Sequence, residues 1–193
     1  DEYDLAGFTV GVAERDEIIT GENIKSGDVL VGIASSGIHS NGFSLIRKVF
    51  DLQKEYKVYS DELGKTIGEA LLTPTIIYVK ALSELKKSGV RVKGCSHITG
   101  GGFYENIPRM LPEGIRASID RSSVKILPVF DLIARRGNVS EHVMFNTYNM
   151  GVGMVFAIDP ADASKAIDAI KKAGEEACII GETVSGEKGV DIK

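Results

Sequence analysis

Several residue types that mark specialised protein classes are scarce in this sequence of 193 residues. Only two cysteines occur, Cys95 and Cys178, and neither belongs to a C-x-x-C pair. This argues against a zinc knuckle and a disulfide-built fold, and it favours a reducing compartment, the cytoplasm. No apolar run approaches the ~20 residues that span a bilayer, and no basic start leads into an apolar signal core. We therefore expect no membrane role.

Clustered positive charge is also missing. The sequence holds 23 Lys plus Arg against 27 Asp plus Glu, so its formal net charge is −4. Binding to nucleic acid requires clustered positive charge that neutralises phosphates, so we expect no nucleic-acid partner. The hydrophobic fraction of 43% and the charged fraction of 26% are ordinary for a globular chain. The sequence begins with Asp1 rather than Met, and we expect it to be part of a longer protein.

Common motifs of nucleotide-binding and hydrolytic enzymes are absent as well. The sequence contains no G-x-x-x-x-G-K-[ST], no G-x-G-x-x-G, no G-x-S-x-G and no H-E-x-x-H. It also has no acidic cluster of the kind that holds magnesium. We therefore predict no metal site in this chain.

Apolar periodicity predicts strands that alternate with helices along the whole chain. The predicted strands span residues 7–13, 29–34, 90–95, 115–119, 152–158 and 177–184. The predicted helices follow Asn41, run from a cap at Thr73 to a stop at Gly89, and span residues 103–110, 127–136 and 160–172. Since no linker or internal repeat interrupts this pattern, we predict one α/β domain over 1–193, with a mixed β-sheet covered by helices.

Two of the three histidines lie in polar, glycine-rich segments that each follow a predicted strand. The first segment contains Ser36, Gly37, His39, Ser40, Asn41 and Gly42, and the second contains His97, Thr99, Gly100, Gly101 and Gly102. Loops after strands commonly bind ligands, and successive backbone N–H groups can cradle a phosphate. We predict that both loops line one cleft. Simpler explanations stay open: the glycines serve turn geometry, His39 bonds its own turn, and Asn41 caps a helix.

Four blocks of the sequence resemble one enzyme family, in family order. The blocks span residues 32–45, 69–78, 97–103 and 145–154, and the first contains the run His39-Ser40-Asn41-Gly42-Phe43-Ser44-Leu45. They are similar to signatures of the aminoimidazole ribonucleotide synthetases, also called phosphoribosylformylglycinamidine cyclo-ligases. Residues 3–8 resemble the family's segment that follows its acidic, metal-binding N-terminal half.

The resemblance implies that the chain is the C-terminal domain of a purine-biosynthesis enzyme. The family uses ATP to close the imidazole ring of formylglycinamidine ribonucleotide, and ATP and Mg²⁺ would bind mainly to an N-terminal domain absent from this chain. The intact enzyme is expected to be a homodimer. The implied catalytic residues are His97, which we favour for proton handling, and His39. The implied substrate or phosphate ligands are Ser36, Gly37, Ser40, Asn41, Gly42, Thr99, Gly100, Gly101, Gly102 and Asn149.

Two alternatives remain open at this point. Sister families such as selenophosphate synthetase and thiamine-monophosphate kinase share the general glycine-loop pattern, so the chain could belong to a related ATP-dependent enzyme. The chain could also be a phosphate- or nucleotide-binding module without activity of its own.

Overall fold

A six-stranded sheet forms the centre of the computed structural model, which describes residues 6–193. Its strands are β1 (Val29–Ala34), β4 (Gly94–His97), β5 (Ile115–Ile119), β6 (Val152–Ile158), β7 (Ala177–Ser185) and β8 (Gly189–Ile192). A separate hairpin pairs β2 (Tyr59–Ser60) with β3 (Lys65–Thr66). The strand order in the large sheet is β4-β6-β1-β7-β5-β8, and every neighbouring pair is antiparallel except the parallel pair β5 and β8.

Helices pack on both faces of this sheet. They are α1 (Phe43–Val49), α2 (Leu52–Glu55), α3 (Ile67–Leu71), α4 (Val79–Ser88), α5 (Gly102–Asn106), α6 (Pro128–Gly137), α7 (Glu141–Thr147) and α8 (Ala163–Lys172). Successive strand residues point to opposite faces. Leu30 therefore packs in the core under α1, α5, α6 and α7, whereas Val31 and Ile33 pack in the core under α4 and α8. The prediction of a mixed sheet covered by helices is confirmed.

The strand directions place two loops at the same edge of the sheet. β1 and β4 each pair antiparallel with β6, so these two strands run in the same direction on either side of it. The chain segments that follow β1 and β4 therefore emerge at one edge, where β6 begins. The unit β6–α8–β7 was predicted correctly, and β1 lies between its two parallel strands.

The strand predicted over residues 7–13 is wrong. Phe8, Val10 and Val12 have the predicted apolar alternation, yet their exposed fractions are 93%, 78% and 101%. None of these residues belongs to a strand. A strand requires a neighbour that completes its backbone hydrogen bonds, and the described part of the chain supplies none here. Residues 3–5 of the resembling segment lie outside the described residues.

Three predicted element boundaries also need correction. The helix expected from Thr73 begins only at Val79, because the Thr73 hydroxyl donates to the Glu69 carbonyl oxygen and residues 73–78 run as an irregular segment. Asn41 does not cap α1, whose N-cap is Gly42 in the left-handed region. β4 spans Gly94–His97 rather than residues 90–95. His97 is therefore the last residue of the strand and not part of the following loop.

Gly102 joins the second loop to α5 at a position where a side chain has no room. Its φ is +55°, and a Cβ atom there would lie 1.9 Å from the Phe145 carbonyl oxygen. Gly64 has a similar φ of +64°, but nothing lies within 4 Å of its Cβ position.

We expect Gly102→Ala to destabilise the fold more than Gly64→Ala. Both variants incur the strain of a left-handed alanine, about 1–2 kcal/mol. Gly102→Ala adds an overpacking cost of about 1–3 kcal/mol because backbone atoms must move. Urea unfolding of both variants measures the difference, and equal losses of unfolding free energy would contradict the predicted clash.

Candidate functional site

The two histidine-bearing segments lie side by side, as the sequence predicts, and the surface between them is called the cleft below. The Gly100 N–H donates to Asn41 Oδ1 across the cleft at 3.0 Å. The ring centroids of His39 and His97 are 6.4 Å apart. The prediction that residues 35–42 and 97–102 lie on the same side of the sheet is therefore confirmed.

A third segment, residues 73–78, completes the wall of the cleft. The Ser36 hydroxyl donates to the Pro74 carbonyl oxygen at 2.6 Å, and the hydroxyls of Ser40 and Thr75 are 3.3 Å apart. The Tyr78 hydroxyl donates to the Ala34 carbonyl oxygen at 2.8 Å, at the end of β1. Residues 73–78 belong to the second block of the family resemblance, which is the only sequence signal that pointed to them.

Tyr78 packs against both histidines, a position that the sequence did not predict. Its ring centroid is 6.3 Å from that of His39 and 5.9 Å from that of His97. Gly153 of β6 lies beneath this group. A Cβ atom at Gly153 would be 1.9 Å from Tyr78 Oη and 2.8 Å from His39 Cε1, so only glycine permits such close packing.

His39 is buried and neutral. Only 4% of it is exposed, and its φ of +55° places it in the left-handed region. The Ser36 N–H donates to His39 Nε2 at 3.3 Å, so the proton of the neutral ring is on Nδ1, which has no partner among residues 6–193. Burial, followed by the nearby charge of His97, lowers the pKa of His39 to about 4.

His97 lies at the mouth of the cleft, where its side chain stays open to solvent. Partial desolvation lowers the pKa of His97 below its usual value. The neutral imidazole is therefore favoured near neutral pH, and a neutral imidazole can accept a proton. The structure thus brings the two predicted catalytic histidines together but gives them different environments.

Asn149 holds the first loop against the start of β6. Its Oδ1 accepts from the Ser35 hydroxyl at 2.8 Å and from the Gly151 N–H at 2.9 Å, and its Nδ2 donates to the Gly37 carbonyl oxygen at 2.9 Å. Only 2% of Asn149 is exposed. In this structure it positions the loop, and its predicted contact with a ligand stays a prediction.

Asn106 holds the second loop in the same way, a role that the sequence did not predict. Its Oδ1 accepts from the Thr99 N–H at 2.5 Å and from the Thr99 hydroxyl at 3.2 Å. Its Nδ2 donates to the Gly100 carbonyl oxygen at 3.0 Å. The loop geometry therefore depends on a side chain seven residues further along the chain.

Comparison with known proteins identifies the family. The family model described as "AIR synthase related protein, C-terminal domain" matches residues 25–193. The chain belongs to this family. Two curated proteins named phosphoribosylformylglycinamidine cyclo-ligase, from Lachnospira eligens and Agathobacter rectalis, are each 60% identical to it over 193 residues. These matches cover 100% of this chain and 57% of each relative, so the chain spans little more than half their length.

Solved structures share the fold of this AIR synthase-related domain. Thiamine-monophosphate kinase from Stenotrophomonas maltophilia K279a matches with a TM-score of 0.66 at 13% identity, covering 94% of this chain and 54% of the kinase. A chain of a HypE–HypF complex matches with a TM-score of 0.58 at 22% identity, covering 90% of this chain and 51% of that chain. At these identities the likeness concerns the fold alone.

The glycine triplet of this AIR synthase-related domain offers few free donors to an anion. The Gly100 N–H is bound to Asn41, and the Gly102 N–H donates to the Thr99 carbonyl oxygen at 3.0 Å. Within the described residues, only the Gly101 N–H of the three lacks an acceptor. A Cβ atom at Gly101 would lie 2.5 Å from Glu105 Oε2, so a carboxylate is close to the loop. Phosphate binding by this triplet therefore stays a prediction.

The described residues contain no dedicated cluster of metal ligands. Between residues 6 and 193, no group of three or more His, Cys, Asp or Glu side chains converges on a point that a metal could occupy. In the same part of the chain, no helix is both long enough and apolar enough to cross a bilayer.

We expect His39 to make stability depend on pH in one window. The pKa of His39 falls from 6.5 to about 4 on folding, so as the pH drops from 6.5 to 4 the unfolded chain binds a proton that the folded chain does not. The free energy of unfolding should therefore fall by up to about 3 kcal/mol between pH 6.5 and pH 4, and this contribution should not change above pH 6.5.

Urea unfolding at pH 7, 5.5 and 4 measures this loss for the native chain and for His39→Gln. The variant lacks the titrating group, so the difference in unfolding free energy between the two proteins should change across the window. His142→Gln is the control, because His142 lies on the surface beside the ring of Tyr104. If the difference in unfolding free energy between the native chain and His39→Gln did not depend on pH, the lowered pKa of His39 would be contradicted.

Proposed function

We propose that this chain is the C-terminal part of an ATP-dependent cyclo-ligase of purine biosynthesis. The enzyme would convert formylglycinamidine ribonucleotide to aminoimidazole ribonucleotide, with release of ADP and phosphate. The meeting of residues from all four resembling blocks around His39 and His97 carries the proposal. It is supported by 60% identity to proteins named for this activity.

The proposed reaction has two chemical steps. The γ-phosphoryl group of ATP is transferred to the formyl amide oxygen of the substrate, which turns that oxygen into a leaving group. The ribose-bearing nitrogen then attacks the activated carbon, the carbon–oxygen bond breaks, phosphate leaves and the nitrogen loses its proton. A group that accepts this proton accelerates ring closure.

His97 is suited to accept that proton. Its lowered pKa keeps the imidazole neutral, and its place at the mouth of the cleft leaves it accessible to a ligand. His39 is too enclosed to exchange protons rapidly, and we assign its Nδ1–H to donating a hydrogen bond. The proposed substrate contacts come from the two loops, through Ser36, Gly37, Ser40, Asn41, Gly42, Thr99, Gly100, Gly101 and Gly102, with Asn149 behind the first loop.

We assign the binding of ATP and Mg²⁺ mainly to an N-terminal domain that makes up the rest of the relatives' length. The lack of a magnesium-ligating cluster among residues 6–193 supports this division, and no step in this chain is derived through the metal. The proposal includes a homodimeric complete enzyme that acts in the cytoplasm. It competes with the two alternatives raised by the sequence, a sister ATP-dependent enzyme and a non-catalytic binding module.

In the complete enzyme, His97→Ala should reduce turnover by about 100-fold or more, because proton transfer loses its acceptor. The acidic limb of the pH–rate profile should also disappear, which a purely structural loss would not cause. Steady-state kinetics from pH 5 to 9 measure both effects, with His142→Ala as the control. Native-like turnover in a folded His97→Ala enzyme would leave His97 without a catalytic role.

We expect the 193-residue chain to unfold cooperatively but to lack cyclo-ligase activity by itself. It has a two-sided core, yet it has no metal cluster among the described residues to neutralise a transferring phosphoryl group. Addition of the relatives' N-terminal segment in trans should restore ATP-dependent product formation.

This reconstitution experiment separates the alternatives. Product from formylglycinamidine ribonucleotide supports the cyclo-ligase, whereas ATP hydrolysis dependent on another substrate indicates a sister enzyme. Ligand binding without turnover in the mixture indicates a binding module. Magnesium-dependent activity of the chain alone would refute the proposed division between the two parts.

A further inference from the structure

A second cavity opens beside His97, at the outer edge of the sheet. Its volume is about 280 Å³, and it lies between the edge strand β4, the 3-10 turn Ile107–Met110 and the segment around Thr20. Cavities that enclose whole drug-sized ligands measure about 300–1,000 Å³. This cavity therefore has the size to take one end of a ligand whose remainder extends past His97.

The cavity wall carries one permanent charge, the guanidinium of Arg109. The ionic partner of Arg109 is Glu105, with Nη2 and Oε2 3.9 Å apart and with side-chain exposures of 68% and 56%. Such a long, exposed ion pair contributes little and is easily exchanged for a stronger one. An arginine in this state is available to an anion, and its planar fork matches the oxygens of a phosphate.

A serine lies in the same wall. Ser96 is 6% exposed, and its hydroxyl has no hydrogen-bond partner anywhere in residues 6–193. A hydroxyl in a cavity wall that makes no bond to the protein can donate to, or accept from, a ligand there. Asn106, also in the wall, is fixed by its bonds to the second loop and keeps the wall rigid.

We propose that this cavity binds the phosphate monoester end of the ribonucleotide substrate, with Arg109 and Ser96 as the phosphate ligands. The proposal rests on the proposed function, since it assumes a substrate that carries a ribose phosphate. In this arrangement the phosphate lies at the edge of β4, and the reacting end extends past that edge toward His97. The carboxylate of Glu105 competes with the phosphate for Arg109 and must be displaced on binding.

Titration of the 193-residue chain with ribose 5-phosphate tests the cavity directly. Ribose, inorganic phosphate and a non-hydrolysable ATP analogue are the comparison ligands. Binding is measured by calorimetry and by changes in the NMR signals of the Ser96 and Arg109 amides. We expect ribose 5-phosphate to bind more tightly than ribose and more tightly than the ATP analogue. Equal affinity for ribose, preference for the ATP analogue or absence of binding at millimolar concentration would each overturn the proposal.

Substitutions then assign the ligands. Arg109→Gln should weaken ribose 5-phosphate binding by about 10- to 100-fold, and Ser96→Ala by about 2- to 10-fold. Glu105→Gln should strengthen it, because the competing carboxylate is removed. Arg135→Gln is the matched control, because Arg135 lies on α6 and pairs with Glu62. Thermal unfolding verifies that each variant is folded, and unchanged affinity in folded Arg109→Gln would overturn the proposal.

Kinetics of the complete enzyme separate this proposal from the proposed function. Arg109→Gln should raise the KM for formylglycinamidine ribonucleotide by about 10- to 100-fold and leave the KM for ATP unchanged. A raised KM for ATP alone would assign the cavity to the nucleotide and overturn the proposal. A native enzyme without cyclo-ligase activity would refute the proposed function, and the ribose 5-phosphate titration would still decide whether the cavity binds a phosphate monoester.

Discussion

Antiparallel pairing of β6 with both of its neighbours determines the geometry of the candidate site. Because β1 and β4 flank β6 and run in the same direction, the two histidine-bearing segments have to emerge side by side. The start of β6 lies between them and contributes Gly153 to the floor. If β4 paired at the far edge of the sheet, beyond β8, His97 would be separated from His39 by the width of the sheet, and the cleft would not exist.

Buried side-chain amides turn this topology into a defined cleft. Asn149 and Asn106 each satisfy backbone groups of one loop, and Asn41 joins the two loops. Asn149 and Asn106 are each 2% exposed, and backbone polar groups left unpaired at that depth would be costly, so these two amides fix the loop conformations. The absence of a side chain at Gly153 then lets Tyr78 and His39 pack directly on the strand.

Local patterns predicted most of the sheet and both histidine loops, because strand periodicity and glycine-rich turns are properties of neighbouring residues. The strand at residues 7–13 failed because alternation records a preference for burial but cannot supply a partner. The early helix start failed because Thr73 and Pro74 resemble a helix cap, whereas Thr73 bonds backward to Glu69 and Pro74 accepts from Ser36. Tyr78 and Asn106 were missed because their roles arise from contacts that the fold creates.

The 6.4 Å separation of the two imidazole rings also limits how much charge the cleft can hold. A proton on His97 raises the cost of a second proton on His39, which burial already disfavours. Burial and the neighbouring ring therefore act in the same direction, and both disfavour a state in which the two imidazoles are charged together.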